Sequence, residues 1–174
     1  IYYMHEWDGI TAVEEKMAAL DTLVQQGKVR YVGCSNYSAW QIMKSQMAAQ
    51  QAGGVKFVTQ QIHYTLEARE AEYELLPLAV DQNLGVQVWS PLAAGLLTGK
   101  HRRGGAAPKD SRQAAGWNEP PIRDMERLWK IVDCLVEIAD AHGATPAQVA
   151  LAWLLTRPAI SSLVVGGRTE AQFT

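Results

Sequence analysis

Residues 86–100 combine the residue types most able to do chemistry in this chain, and they read VQVWSPLAAGLLTGK. The apolar run up to Trp89 predicts a strand, which Pro91 must end because proline cannot donate to a sheet ladder. Past the strand, Gly95 lets the backbone approach a ligand closely, Lys100 adds positive charge, and the Trp89 ring could cover a flat ligand. The stretch also suits an ordinary strand-to-helix turn with a core tryptophan, so both interpretations stand on these residues alone.

The elements around this stretch repeat regularly. Apolar runs typical of buried strands begin near residues 1, 29, 57 and 86, so a strand–helix unit recurs about every 28 residues. Helical patterns at 122–142 and 147–156 precede a fifth predicted strand at 160–165. This alternation predicts an α/β fold with parallel strands and outer helices. A doubly wound sheet shows the same alternation of strands and helices. The even spacing of the units and the absence of a G-x-G-x-x-G turn favour a barrel.

In a (β/α)₈ barrel, functional residues lie in the loops after the carboxyl ends of the strands. This rule selects polar, aromatic or glycine-rich groups at five strand exits: His5; Ser35 and Asn36; Gln61 to Tyr64; Trp89 to Lys100; Gly166 to Arg168. His5 could donate a proton or a hydrogen bond to a substrate, and a diglycine before a helix could bind an anion. Local hydrogen bonding, turn formation and core packing are the structural alternatives at each position.

Composition narrows the class of protein. The 174 residues carry a net charge of -2 and no clustered basic stripe, which argues against a nucleic-acid partner. The two cysteines, Cys34 and Cys134, lack metal-ligand spacing, so we expect no metal site and a reducing, cytoplasmic compartment. No apolar run approaches the ~18 residues of a membrane span. Both ends interrupt predicted elements, and we expect residues 1–174 to form a single partial barrel domain truncated at both ends.

Five stretches carry a family resemblance. They are YYMH at 2–5, GKVRYVGCSNY at 27–37, QIHY at 61–64, WSPLAAGLLTGK at 89–100 and GGRT at 166–169. In this order and spacing they resemble the aldo-keto reductase family, in its branch with β-subunit-like and bacterial members. The resemblance implies a (β/α)₈ TIM barrel, here a partial barrel of about five βα units with parallel strands. It also implies NADPH-dependent reduction of aldehydes and ketones.

The resemblance assigns roles at the reacting end of the cofactor. His5 corresponds to the histidine of the family's catalytic tetrad. Ser35, Asn36 and Gln61 correspond to the residues that hydrogen-bond the nicotinamide carboxamide, and Trp89 to the residue that stacks on the ring.

Two further groups are implied for the rest of NADP(H). The residues that would line the pyrophosphate are Ser90, Pro91, Leu92, Gly95 and Lys100. The residues that would hold the adenosine end are Gly166, Gly167, Arg168 and Gln172. A guanidinium can bond a 2′-phosphate in bidentate fashion, so Arg168 favours NADP over NAD.

The chain departs from the family pattern in one important respect. The tetrad also needs a Tyr, an Asp and a Lys that belong to earlier strands, and Tyr64 does not occupy the tyrosine position. We therefore expect the isolated fragment to be inactive as a reductase. The substrate would be a small-molecule carbonyl compound, and the oligomeric state is not predicted. Two other readings remain: an NADPH-binding, redox-sensing interaction subunit, and a barrel isomerase or aldolase with a phosphate site at Gly166 and Gly167.

Overall fold

The computed structural model describes residues 1–109, 111–117, 121–167 and 170. Five strands lie in one sheet in chain order. They are Tyr2–Met4 (β1), Val32–Ser35 (β2), Phe57–His63 (β3), Gly85–Trp89 (β4) and Ile160–Val164 (β5). The α-helices of this part of the chain are Val13–Gln25 (α1), Ala39–Ala52 (α2), Leu75–Asp81 (α3), Met125–His142 (α4) and Pro146–Leu155 (α5). The predicted α/β fold with a parallel sheet, consistent with part of a (β/α)₈ barrel, is confirmed.

The chain divides into two compact units, and the first comprises residues 1–62 and 70–87. Within it β1 pairs in parallel with β2, and β2 pairs in parallel with β3, where Ser35 lies opposite Gln61. Helix α1 packs against α2. Apolar side chains at helical spacing on α1 are buried, as the sequence predicts; they are Val13, Met17 and Leu20.

Gly33 permits a close approach of the strands in this unit. A Cβ added there would lie 2.7 Å from the Tyr3 ring and 2.8 Å from the carbonyl oxygen of Thr59. Both distances are shorter than real Cβ contacts, so only glycine fits this position of β2 without a shift. The Tyr3 hydroxyl donates to Thr59 Oγ1 at 3.3 Å across the same gap.

The second unit comprises residues 63–69 and the described residues from 88 onward. Helix α5 begins as predicted, with Thr145 as N-cap, Pro146 in the first turn and reciprocal hydrogen bonds between Thr145 and Gln148. Helices α4 and α5 pack together. Their shared core consists of Ala93, Leu96, Leu97, Leu128, Val132, Leu135 and Ala150.

Several local elements differ from the sequence prediction. Helix α4 begins at Met125 rather than at residue 122, after the N-cap Asp124. Strand β2 covers Val32–Ser35 rather than residues 29–33, because the N–H groups of Lys28 and Val29 both donate to the Leu23 carbonyl and extend the turn after α1. Thr11 and Glu14 have the spacing of a capping box, which predicts Thr11 as the cap of α1, but the N-cap is Ala12. The many Glu and Ala residues at 68–81 predict one helix, but this segment forms a short 3-10 helix, Glu70–Glu72, followed by α3.

Candidate cofactor and active site

The carboxyl ends of three neighbouring strands in the first unit are tied together by hydrogen bonds. The Ser35 hydroxyl donates to the carbonyl oxygen of Gln61 at 2.9 Å, and the Asn36 N–H donates to the same oxygen at 3.3 Å. The Asn36 side-chain amide donates to the carbonyl oxygen of His5 at 3.3 Å. Four predicted site residues, from the ends of β1, β2 and β3, are thereby brought into one hydrogen-bonded group.

These four residues differ in exposure in a way that suits a ligand site. Ser35 is buried, Gln61 is half-buried, and His5 and Asn36 are exposed. The Gln61 side-chain amide also donates to Oε1 of Gln87 at 3.4 Å. Asn36 has a φ of 58°, in the left-handed region that asparagine tolerates better than most residues.

The residues next to this group are structural. Burial raises the pKa of the Cys34 thiol to about 12, so it stays protonated and unreactive at neutral pH. Trp7 packs edge-on against Tyr37 and Trp40, and the Lys16 ammonium lies 4.1 Å from its ring centre. A loop tryptophan at this position could form the wall of a substrate pocket or pack locally, and these contacts favour local packing.

In the second unit, Trp89 lies beside His63, with ring centres 4.6 Å apart and an interplanar angle of 32°. The two residues are the last of β4 and β3, respectively. His63 falls within a predicted strand exit, residues 61–64, but its sequence context indicates no role. The signal was its position: it ends one strand as Trp89 ends the next. The contact restricts the orientation of the indole ring.

The turn after Trp89 has an unusual backbone. Ser90, Ala93 and Ala94 have φ values of 52°, 49° and 55°, which non-glycine residues adopt infrequently. The turn is held by hydrogen bonds from the Ala94 N–H to Ser90 Oγ at 3.3 Å and from the Gly95 N–H to the Leu92 carbonyl at 2.9 Å. Strained backbone of this kind concentrates at ligand-binding and active sites.

Lys100 folds back over Gly95. A Cβ at residue 95 would lie 3.4 Å from both Cε and Nζ of Lys100, and Gly95 itself has a φ of 94°. The Thr98 hydroxyl donates to the Gly95 carbonyl at 2.7 Å and stabilises the turn. Lys100 is otherwise exposed, so its ammonium group lies near the main chain of Gly95, which has no side chain. Pro91 is buried and Leu92 half-buried within the same turn.

The predicted adenosine-end residues are only partly described. Gly166 and Gly167 follow β5 and are exposed, and a Cβ at Gly166 would meet no atom within 4 Å. Arg168 and Gln172 lie outside the described residues.

The described residues fit a dinucleotide better than a metal ion. Lys100 and the bare backbone at Gly95 match the charge and close approach that a pyrophosphate needs, and Trp89 offers an aromatic face. Among residues 1–109, 111–117, 121–167 and 170, no three His, Cys, Asp or Glu side chains are grouped to hold a metal ion. Within the same ranges, none of the helices is long and apolar enough to cross a membrane.

Comparison with known proteins identifies the class. The model of the aldo/keto reductase family matches residues 1–174, and the chain therefore belongs to this family. The catalytic and cofactor roles given above remain predictions drawn from the family resemblance.

Three relatives illustrate the range within the family. An uncharacterized oxidoreductase, YrpG, of Bacillus subtilis (strain 168) is 38% identical over 99% of this chain and 50% of its own length. A probable voltage-gated potassium channel subunit beta of Arabidopsis thaliana is 37% identical over 99% of this chain and 53% of its own. An aryl-alcohol dehydrogenase [NADP(+)] of Phanerodontia chrysosporium is 30% identical over 97% and 44%, respectively. The chain spans about half the length of these curated relatives.

Proposed function

We propose that the protein containing this chain is an NADPH-dependent oxidoreductase that reduces aldehydes or ketones to alcohols. The observation that carries the proposal is the hydrogen-bonded group of His5, Asn36, Ser35 and Gln61 at three neighbouring strand ends. Membership of the aldo/keto reductase family and the oxidoreductase relatives support it. The two free thiols, Cys34 and Cys134, support the proposed cytoplasmic location.

The proposal gives each group of residues a task. Ser35, Asn36 and Gln61 bind the nicotinamide carboxamide and so select the ring face that meets the substrate. Trp89 covers the ring. Residues 90–100 bind the pyrophosphate, where the Lys100 charge and the left-handed turn at Gly95 are most useful.

His5 is proposed to orient the substrate carbonyl and polarise it by hydrogen bonding. When bound, NADPH supplies the hydride for the carbonyl carbon. The family resemblance assigns protonation of the oxygen to a tyrosine that corresponds to no tyrosine in this sequence. Tyr64 is an unsuitable substitute, because it is fully buried and its ring packs 5.5 Å from that of Trp153.

The preference for NADPH over NADH is a finer part of the proposal. It rests on Arg168, whose guanidinium would pair with the 2′-phosphate, and on the similarity to the Phanerodontia aryl-alcohol dehydrogenase, whose name specifies NADP(+). Replacing Arg168 with Gln should weaken NADPH binding more than NADH binding.

A second candidate function is a redox-sensing subunit that binds NADPH and turns over slowly. The similarity to the Arabidopsis potassium channel subunit beta favours this alternative. The two functions share the proposed cofactor site and differ in turnover. Carbonyl-dependent NADPH oxidation by the complete protein therefore separates them: multiple turnovers support the reductase, and binding without turnover supports the sensor.

Titration with NADPH, followed by tryptophan fluorescence, tests the shared cofactor site. We expect quenching that saturates and that is largely lost in Trp89→Phe. Trp40→Phe is the matched control, because Trp40 is an exposed residue on α2 and should leave the Trp89 signal intact. Saturable quenching that is unchanged in Trp89→Phe would refute the role of Trp89, and failure of the complete protein to bind NADPH would refute the proposed function.

A further inference from the structure

The second unit carries an apolar groove on the side formed by α4 and α5. The cavity has a volume of about 300 Å³, and its walls are almost entirely carbon. The apolar side chains that line it are Leu66, Ile131, Leu135, Ile138, Val149 and Trp153. None of these residues belongs to the proposed cofactor site, so the groove is a separate feature of the molecule.

Two cations stand at the rim of the groove. Arg127 and Lys130 line it from α4, and both side chains are exposed. They lie on the same helical face as Ile131 and Cys134, one turn apart. None of the groove-lining residues is acidic.

None of the acidic residues of α4 lines the groove. Glu126, Asp133, Glu137 and Asp140 occupy the adjoining face of the helix, where Glu126 and Asp133 lie one turn from Lys130. Glu126 is also paired with Arg103, which reduces its interaction with the rim. Helix α5, Pro146–Leu155, contains no charged residue. The groove is therefore apolar inside and positively charged at its edge.

Trp153 adds to this positive environment. The Arg157 guanidinium lies 4.9 Å from the Trp153 ring centre, and that of Arg69 lies 5.3 Å from it. Both contacts are in the range of cation–π attraction. Arg69 and Arg157 do not line the groove, but they add positive charge next to Trp153, which does.

We propose that this groove binds a small amphipathic monoanion, an apolar chain or ring system that carries one carboxylate. Charge complementarity favours this ligand, because the apolar lining accepts the body and the Arg127–Lys130 rim accepts the carboxylate. The size is consistent: a 150 Å³ apolar cavity holds benzene, and small-molecule pockets begin at about 300 Å³. A stable protein partner would need about 800 Å² on each side.

Cys134 provides a direct test, because it is exposed and lines the groove, whereas the chain's other cysteine is buried. The rate of Cys134 alkylation by iodoacetamide would be measured with decanoate, and with decanol as the uncharged control, both below the concentration at which they aggregate. We expect decanoate to slow alkylation about tenfold when it exceeds its dissociation constant about tenfold. Decanol should protect much less.

Variants then assign the protection to the groove. In Arg127→Gln/Lys130→Gln, decanoate should protect far less, as judged by the ratio of rates with and without decanoate within each variant. Lys44→Gln, an exposed cation on α2, is the matched control and should keep full protection. NADPH quenching should be unchanged in the double variant, so failure of this proposal and failure of the proposed function are distinguishable.

Several results would overturn the proposal. One is the absence of protection by decanoate, and another is equal protection by decanol. Protection that persists in Arg127→Gln/Lys130→Gln would also refute it. Slower alkylation at higher protein concentration without decanoate would instead identify a second copy of the chain as the occupant. Calorimetric titration of Cys134→Ser with decanoate is the independent check, and lack of a binding signal there would count against the proposal as well.

Discussion

The Ser35 hydroxyl donates a 2.9 Å hydrogen bond to the carbonyl oxygen of Gln61, and this bond joins the ends of β2 and β3. Ser35 is buried, so the hydroxyl has little access to water. The bond therefore fixes the position of Gln61, whose side chain is proposed to bind the cofactor. Stability and ligand binding should both depend on it.

Ser35→Ala should lower the free energy of unfolding by about 1 kcal/mol, the typical net contribution of one hydrogen bond. It should also weaken NADPH binding, because Gln61 loses a constraint and the carboxamide loses a proposed partner. Urea unfolding and fluorescence titration measure the two effects. Ser45→Ala is the matched control: Ser45 is equally buried and donates to the Gln41 carbonyl at 2.9 Å within α2. A similar loss of NADPH affinity in both variants would contradict the assignment of Ser35.

Gly95→Ala should lower stability by about 1–2 kcal/mol, because alanine is strained in the left-handed region. The added methyl group would also contact Cε and Nζ of Lys100 at 3.4 Å and cover the bare backbone that is proposed to face the pyrophosphate. We therefore expect weaker NADPH binding in a fluorescence titration. Gly27→Ala separates the two causes, because Gly27 has a φ of 70° and open space around it. Gly27→Ala should reduce stability and leave NADPH affinity unchanged; reduced affinity in both variants would argue against a specific role for Lys100 at this turn.

The Asp8 carboxylate should make stability depend on pH in the acidic range. Hydrogen bonding from Thr11, and then from the Ile10 N–H, holds the pKa of Asp8 below its ordinary value of 3.8. Between the folded and unfolded pKa values the unfolded chain binds more protons, so stability rises with pH there. The advantage of the wild type over Asp8→Ala should be complete above the unfolded value and disappear as the pH falls through the folded pKa. Urea unfolding at a series of pH values measures this, and a gap independent of pH would contradict it.

The two cysteines should react very differently with thiol reagents. With a pKa of about 12, Cys34 carries a thiolate fraction of about one in 10⁴ at pH 8, and it is also shielded by burial. Exposed Cys134 should therefore be alkylated alone in the folded protein, as counted by mass spectrometry, and both thiols should react in urea. In Cys134→Ser the folded protein should take up no label on the same timescale. Rapid labelling of Cys34 in that variant would mean that β2 opens readily.

The fold was largely predictable from sequence because its signals are local. Helix α5 shows this best: Thr145, Pro146 and Gln148 specify its start through hydrogen bonds that span three residues. The start of β2 was less predictable, because residues 29–31 have strand-like side chains while the backbone still bonds to the end of α1. Nothing in the neighbouring sequence indicates that the N–H groups of Lys28 and Val29 bond to the Leu23 carbonyl.

The candidate site was predictable in composition and only partly in geometry. The strand-exit rule selects Ser35, Asn36 and Gln61, but their mutual hydrogen bonds depend on the register of β2 against β3. The left-handed conformations of Ala93 and Ala94 were not predictable, because alanine disfavours them and the surrounding turn imposes them. The contact of His63 with Trp89 likewise depends on tertiary structure.

The hydrogen bond from the Asn36 amide to the His5 carbonyl has a consequence for mutagenesis of this protein. Loss of the Asn36 side chain would release the main chain at His5, so one substitution would perturb both the proposed cofactor contact and the proposed substrate contact. A kinetic defect in Asn36→Ala therefore cannot be apportioned from the single variant. A double-mutant cycle with His5→Ala is required, and its coupling free energy would report how far the two roles depend on each other.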